Sequence, residues 1–380
     1  MKLFLITAAS LLLSVSSPAQ SYDELLAKAA EALAKKEYCA AFRQFERAFA
    51  DTARAGTYDL AFGAVAAANC QQPDAAIQWL RRSAAKGLGH NPGETEQVIA
   101  DSAFAPLHRH PDWPGWATMM RENQARREEL ARQQRQHWQQ RTTQNAIVAP
   151  ETGKAYGQAP AGFARYVSRA DTLDVPYLVR VPEHYTPARR YPLVVYLHGG
   201  VATTDTFGDA DPAVANEPIF QAVPHALVLY PFGRKTFGWV AQEPAFRHVL
   251  TLIDEVARRY SLDPNQIYLG GTSNGATAAF WYAAHTPGRF AGFYAFSPAP
   301  SVFMDPDAFK RIPARTRILS VSAGDDDVYP YEQALATYNT HRKRLTHWLF
   351  TTQATGGHGF IYGPDGAQIM RQTLDRLLKP

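Results

Sequence analysis

The chain has 380 residues, of which 46% are hydrophobic and 19% are charged. This balance is ordinary for a globular protein and excludes a wholly disordered or collagen-like chain, and the length predicts two or three domains. The net charge is only +4, spread without a compact basic patch, so no nucleic-acid partner is predicted. Two cysteines exclude a small disulfide-framework protein and a four-thiolate metal site.

The first segment has the layout of a secretory signal peptide. Lys2 precedes an almost uniformly apolar run over 3–15, and small residues at Ser17 and Ala19 suit a cleavage site. The run is shorter than the about 20 residues that a spanning helix needs, and no later stretch is long and apolar enough. We therefore expect a signal peptide over 1–19, cleavage after Ala19, a periplasmic or secreted protein, and no membrane span. An uncleaved anchor is the alternative.

Residues 20–120 have a helical pattern, with apolar residues recurring at three- and four-residue steps. Helices are predicted over 57–69 and 74–85, and two pairs of short helices predict an all-α helical-hairpin domain. The segments "YCAAFRQFERAFA" and "AAIQWLRRSAAKGL" resemble tetratricopeptide repeats. That resemblance implies a docking surface for a protein partner. Cys39 and Cys70 fall at neighbouring ends of the predicted hairpin, where a disulfide and two free thiols are both open.

Residues 121–162 are predicted to join the two domains. Arginine, glutamine and glutamate dominate 121–141, which favours a solvent-exposed helical connector. Proline, glycine and alanine are frequent in 150–162, which favours a linker containing the domain boundary. The second domain is then 163–380.

In 163–380, short β-branched and aromatic runs alternate with amphipathic helices. This alternation predicts an α/β domain, with a mainly parallel sheet and helices on both of its faces. The predicted strands are "PYLVRVP", "YPLVVYLHG", "HALVLYP", "QIYLGGTS", "FAGFYAFSP", "RILSVSAG" and "HWLFTTQ". The predicted helices cover 246–260, 276–285, 332–342 and 367–378.

A candidate nucleophile lies in the motif Gly-Thr-Ser-Asn-Gly at 271–275. The motif directly follows a predicted strand and precedes a helix, which is the context that a G-x-S-x-G elbow requires. The turn is tight, so small glycines flank Ser273, and the helix N-terminus favours developing negative charge. His198-Gly199-Gly200 ends an earlier strand. The backbone N–H groups of Gly200 and Asn274 are predicted to form an oxyanion hole.

The partners of Ser273 follow later in the chain. Three aspartates, 325–327, come after the strand "RILSVSA", and His358 follows the last strand within "GGHGF". The order Ser, Asp, His is that of α/β-hydrolases. Resemblance to that family leaves two choices open: its common Gly-x-x-Asp spacing implies Asp327, whereas the proline that relatives often have four residues beyond the acid implies Asp326, given Pro330. Asp327 is the preferred acid.

These residues make 163–380 similar to the α/β-hydrolase family, and specifically to exported feruloyl esterases, polyhydroxybutyrate depolymerases and predicted peptidases. The catalytic part of prolyl oligopeptidases is similar too. The resemblance rests on "YPLVVYLHGG", "DPNQIYLGGTSNG", "SAGDDDVYP" and "GGHGF". It implies an α/β-hydrolase fold, with Ser273 as nucleophile, His358 as general base, and an aspartate orienting the histidine. Such a triad needs no metal or organic cofactor.

The predicted function is exported hydrolysis of carboxylic esters through a Ser-His-Asp triad and an acyl-enzyme. Small acyl esters and feruloyl or acetyl esters of polysaccharides lead as substrates. A prolyl-oligopeptidase-like peptidase is an alternative, disfavoured because 20–162 reads as helical and contains no β-propeller. A non-catalytic docking protein is a second alternative. Phe237 and Trp239, within "PFGRKTFGWV", are expected either to bind an acyl or aromatic group or to pack beneath a lid.

Overall fold

A computed structural model describes residues 21–240, 242–300 and 307–378. The predicted signal peptide at 1–19 lies outside the described residues. The chain divides into two compact units, an N-terminal unit up to Arg132 and a C-terminal unit from Gln133. Within the described ranges, we find no helix with the length and apolar character needed to cross a membrane.

The N-terminal unit is helical. Its elements are α1 Tyr22–Ala34, α2 Tyr38–Ala48, α3 Thr57–Asn69, α4 Pro73–Ala85, α5 Glu94–Ala100 and the first part of α6 Trp113–Gln144. The helices predicted over 57–69 and 74–85 are confirmed by α3 and α4. Ser21 and Glu24 form a capping box that satisfies N–H groups at the start of α1. A partner bound to these helices stays a prediction.

A disulfide joins Cys39 and Cys70. It connects the first turn of α2 with the residue that ends α3, and the two Cα atoms are 4.8 Å apart. Of the two alternatives left open by the sequence, the structure has the bridge. The bond ties the two helical hairpins together at one end.

The boundary between the units differs from the prediction. Helix α6 has 32 residues and passes through the division at Arg132 without a break. Within α6 but after Arg132, Trp138 is buried among the apolar side chains of the C-terminal unit. Its indole N–H donates to the carbonyl of Asp209. The segment 150–162 therefore lies inside the C-terminal unit, and the linker prediction for it is wrong. A buried side chain such as Trp138, within an otherwise polar sequence, determines to which unit the segment belongs.

The C-terminal unit is built on an eight-stranded sheet. Its strands are β1 Gly162–Ala170, β2 Leu173–Val181, β3 Tyr191–Leu197, β4 Leu227–Pro231, β5 Leu262–Thr272, β6 Gly292–Phe296, β7 Ile318–Ala323 and β8 Trp348–Gln353. Their order in the sheet is β1-β2-β4-β3-β5-β6-β7-β8. Strands β3 to β8 are parallel, whereas β1 and β2 pair antiparallel at one end. The seven predicted strands are confirmed as β2 to β8, and β1 is an addition.

Helices cover both faces of this sheet. They are α7 Pro218–Ala222, α8 Glu243–Arg259, α9 Asn274–His285, α10 Ala308–Arg311, α11 Tyr331–His341 and α12 Gly366–Leu378. Side chains of β3 alternate between two buried clusters: Leu193 and Val195 face α8 and α9, whereas Val194 faces α7 and α12. Burial on both faces explains why β3 is apolar throughout. Because β3, β5, β7 and β8 run parallel, the loops after them meet at one edge.

Candidate active site

The turn around Ser273 is a strained elbow between β5 and α9. Ser273 has φ +54° and ψ −117°, a conformation that costs free energy for a residue with a side chain. A Cβ atom at Gly271 or at Gly275 would lie 1.9 Å from the carbonyl oxygen of Leu197. Both flanking positions therefore require glycine, as the motif predicts. The backbone N–H of Ser273 donates to the carbonyl of Phe296 at 2.9 Å and holds the turn.

Ser273, His358 and one aspartate form a hydrogen-bonded chain. His358 Nε2 is 2.8 Å from Ser273 Oγ. On the other side of the ring, His358 Nδ1 is 2.9 Å from Asp326 Oδ2 and 3.1 Å from Oδ1. The three side chains come from the elbow, the loop after β7 and the loop after β8. The structure thus brings together Ser273 and His358, which the sequence predicts as partners.

The aspartate in this chain is Asp326, and the preference for Asp327 is wrong. Asp326 N–H donates to the carbonyl of Ala323, and this tight turn directs the Asp326 side chain inward. That side chain is fully buried and also accepts the N–H groups of Val328 and Tyr329, whereas Asp327 is exposed. The spacing to the following proline was the correct signal. The turn geometry, which decides the question, is not visible in a run of three aspartates.

Two further side chains hold the His358 loop, and sequence reasoning missed both. The Asp325 carboxylate accepts the N–H groups of Gly357 at 2.8 Å and Gly356 at 3.1 Å. These hydrogen bonds lower the pKa of Asp325, so its carboxylate form is favoured. Ser297 Oγ donates to the carbonyl of His358 at 3.1 Å. The imidazole is therefore positioned through its own backbone as well as through Asp326.

The loop after β3 lies beside the nucleophile. A Cβ atom at Gly199 would be 3.0 Å from the Cβ of Ser273, and Gly200 has φ +71°. His198 fixes this loop: its Nδ1 is hydrogen-bonded to the carbonyl of Gly199, and its Nε2 accepts the N–H of Gly233. Removal from water lowers the pKa of His198 to about 4, so the ring is neutral at pH 7. Both ring nitrogens of His198 are therefore used to hold the loop.

The two aromatic residues proposed for the rim are not equivalent. Trp239 is only 3% exposed, its ring covers Gly233, and its indole N–H donates to the carbonyl of His198 at 2.9 Å. Trp239 packs beneath the loop after β3, so the substrate-binding alternative is wrong for Trp239. Phe237 is half-buried with its ring 5.8 Å from that of His248, at a cavity of about 440 Å³.

In the part of the chain that the structure describes, no three His, Cys, Asp or Glu side chains are gathered as a metal site would need. The one His-rich stretch, at 108–112, is engaged in pairs. His110 contacts Asp74 at 3.0 Å, and Asp112 contacts Arg81 at 3.1 Å.

A comparison with protein families adds to this geometry. The model of the Esterase family matches residues 172–348, from β2 to the start of β8, and this range contains Ser273 and Asp326. The C-terminal unit has the α/β-hydrolase fold, and most of its sheet lies in the range that is similar to the Esterase family. None of the curated proteins matches the chain.

Several solved structures are similar to the C-terminal unit. A thermostable esterase is 24% identical with a TM-score of 0.45, and the match covers 57% of this chain and 62% of that one. Esterase 2 of Thermogutta terrifontis is 15% identical, with a TM-score of 0.47 and coverage of 62% and 100%. The S-formylglutathione hydrolase of Agrobacterium tumefaciens is 16% identical, with a TM-score of 0.45 and coverage of 60% and 97%. Likeness at this level does not determine a substrate.

Proposed function

We propose that the protein hydrolyses carboxylic esters through an acyl-enzyme on Ser273. The observation that carries the proposal is the continuous hydrogen-bonded chain from Ser273 through His358 to Asp326. His358 takes the Ser273 proton as Oγ bonds to the carbonyl carbon, and then gives it to the departing alcohol. A water molecule activated by the same histidine attacks the acyl-enzyme and releases the acid. Buried Asp326 stabilises the imidazolium that forms in each half.

The oxyanion is proposed to bind the backbone N–H groups of Gly200 and Asn274. Asn274 is the first residue of α9, whose N-terminal N–H groups have no partner within the helix. The approach of Gly199 to Ser273 brings the other loop within reach of the same oxygen. Both donors are preorganised by backbone geometry, which is how such sites stabilise a developing charge. The mechanism requires no metal or organic cofactor, because the nucleophile, base and donors are all protein groups.

Esters are proposed as substrates in preference to peptides. The match to the Esterase family supports this choice. The regular elements described from Tyr22 to Gln144 are all helices, whereas a prolyl-oligopeptidase-like enzyme would have a β-propeller. Small acyl esters and feruloyl or acetyl esters are the first candidates. The prolyl-oligopeptidase-like alternative predicts cleavage of proline-containing peptides instead, and the docking alternative predicts no turnover of either.

Export is part of the proposal. Its support is the signal-peptide pattern over 1–19 and the disulfide between Cys39 and Cys70, since such bonds persist in oxidising compartments. Expression of the full chain in a bacterial host, followed by mass spectrometry of the mature protein, tests this. A new N-terminus after Ala19 in the periplasm or medium is expected, and an unprocessed cytoplasmic chain would contradict it.

The deciding experiment is labelling with a fluorophosphonate probe beside an ester and peptide panel. Ser273→Ala should abolish labelling and lower ester kcat by at least about 10³-fold, with the melting temperature nearly unchanged. Ser102→Ala, which alters an exposed serine of the N-terminal unit, is the matched control and should behave as wild type. Labelling that survives Ser273→Ala would refute the nucleophile. A folded wild-type protein that takes no probe and cleaves no ester would refute the function.

A further inference from the structure

Tyr329 contacts two members of the hydrogen-bonded chain, Asp326 and His358, and lies beside the third. Its backbone N–H donates to Asp326 Oδ1 at 2.9 Å. Its ring meets the ring of His358 edge to face, with centroids 4.8 Å apart. Its hydroxyl is held beside Ser273 by the side chain of Asn274, the next residue in the chain. The proposed mechanism gives this hydroxyl no task, although it lies beside the nucleophile.

A second side chain orients the phenol. Asn274 Nδ2 donates to the Tyr329 hydroxyl oxygen at 2.8 Å. Because this bond uses the phenol as an acceptor, the phenolic proton is directed away from Asn274 and remains a donor. Burial raises the pKa of Tyr329, so the hydroxyl keeps its proton through the neutral and mildly alkaline range.

The sheet order shows from which side this donor approaches. Gly200 follows β3 and Tyr329 follows β7, and β5 with Ser273 lies between these strands. Gly200 and the phenol therefore approach Ser273 from opposite sides. A tetrahedral carbon on Ser273 bears three oxygens: Oγ itself, the oxyanion and the alcohol oxygen of the ester. With the oxyanion on the β3 side, the alcohol oxygen is left for a donor on the β7 side.

We propose that Tyr329 is a further catalytic residue, whose hydroxyl donates a hydrogen bond to the alcohol oxygen of the ester while Asn274 holds it in position. This inference rests on the proposed ester hydrolysis at Ser273. As the bond from carbon to the alcohol oxygen breaks, its electron pair stays on that oxygen, and His358 supplies the proton. Tyr329 keeps its own proton and stabilises the developing charge. The contribution is largest for alcohols that leave poorly.

The test compares two esters of one acid, an ethyl ester and a p-nitrophenyl ester, in wild type and Tyr329→Phe. We expect kcat/KM for the ethyl ester to fall by about 10- to 100-fold, less than for a fully enclosed donor because Tyr329 is half-buried. For the p-nitrophenyl ester, whose alcohol leaves readily, the loss should stay below about threefold. Fluorophosphonate labelling, in which fluoride leaves, should also stay within about threefold of wild type.

Tyr331→Phe is the matched control. It removes a phenolic hydroxyl two residues further along the chain, at the first residue of α11, and that hydroxyl pairs with Thr352 Oγ1 at 2.9 Å. Turnover of both esters should be unaffected. Asn274→Ala keeps the backbone N–H but removes the orienting amide. It should produce a smaller loss with the same preference for the ethyl ester.

Three results would overturn the proposal. Tyr329→Phe with wild-type kcat/KM on both esters would show that the hydroxyl does not act. An equal loss on both esters and in labelling would place its effect on Ser273 or on the oxyanion instead. An equal loss in Tyr331→Phe would show that removing any phenolic hydroxyl from this part of the chain lowers activity, without a specific role for Tyr329. Wild-type protein that takes no probe would instead refute the proposed function itself, so the two failures are distinguishable.

Discussion

Asp326→Asn is the substitution that separates the two candidate acids. The amide replaces one carboxylate oxygen with an NH₂ group. Asp326 Oδ1 accepts two backbone N–H groups, and both oxygens face His358 Nδ1. In one orientation the NH₂ group faces the backbone N–H groups of Val328 and Tyr329, and in the other it faces His358 Nδ1–H. Either orientation therefore places two hydrogen-bond donors against each other. This favours the His358 tautomer that carries its proton on Nε2, facing Ser273 Oγ. Because Nε2 already bears a proton in that tautomer, His358 cannot accept the proton of Ser273.

The expected loss in kcat is about 10³- to 10⁴-fold, by analogy with the same change in a serine protease triad. This equals about 4–5.5 kcal/mol of transition-state stabilisation. The free energy of unfolding should also fall by about 1–3 kcal/mol, because buried donors lose an acceptor. Asp327→Asn changes an exposed side chain, so kcat should stay within about twofold and unfolding within about 0.5 kcal/mol.

The measurements are kcat and KM with a short-chain aryl ester, together with urea unfolding of both variants. Asp327→Asn serves as the matched control, because it makes the same chemical change one residue away. A loss in Asp327→Asn equal to or greater than that in Asp326→Asn would refute the reasoning. So would an Asp326→Asn enzyme that retains more than about a tenth of wild-type kcat.

Two further predictions concern stability. The pKa of His198 is lowered from 6.5 to about 4 in the fold, so between these pH values only the unfolded chain binds the proton. The stabilising contribution of neutral His198 is complete above pH 6.5 and falls by about 3 kcal/mol towards pH 4. Urea unfolding of wild type and His198→Gln would reveal this as non-parallel pH profiles. Replacing both Cys39 and Cys70 with serine removes a link across 31 residues and should cost about 3–4 kcal/mol of unfolding free energy. Equal stability of this variant and oxidised wild type would contradict the disulfide's role, and wild type with dithiothreitol is the control.

Local pattern predicted most of the architecture. Strands β2 to β8 and helices α3, α4, α8, α9, α11 and α12 follow from apolar periodicity, because one buried face imposes a period that neighbouring residues share. The nucleophile was also predictable. The G-x-S-x-G motif reports a steric requirement within five residues, which the approach of Gly271 and Gly275 to Leu197 explains.

Strand β1 and the unit boundary escaped prediction because each depends on residues far away in the chain. Along β1 the buried positions alternate, but they carry alanine, tyrosine and serine, so the apolar pattern is weak, and the strand is defined by its pairing with β2. Helix α6 reads as a solvated connector, yet Trp138 anchors its end in the core of the C-terminal unit. A polar sequence with few anchors carries almost no periodic signal.

By itself, the sequence determined which residue types stand at the sheet edge and in what chain order: a serine on its elbow, an aspartate cluster and a histidine. Only the tertiary structure decided that Asp326 rather than Asp327 meets His358, that Trp239 is buried beneath the loop after β3, and that the Tyr329 hydroxyl binds Asn274 beside the nucleophile. The physical reason is that hydrogen bonds are directional and short. A rotation of one residue in a turn exchanges a buried partner for an exposed one, and no spacing rule resolves a difference of one residue.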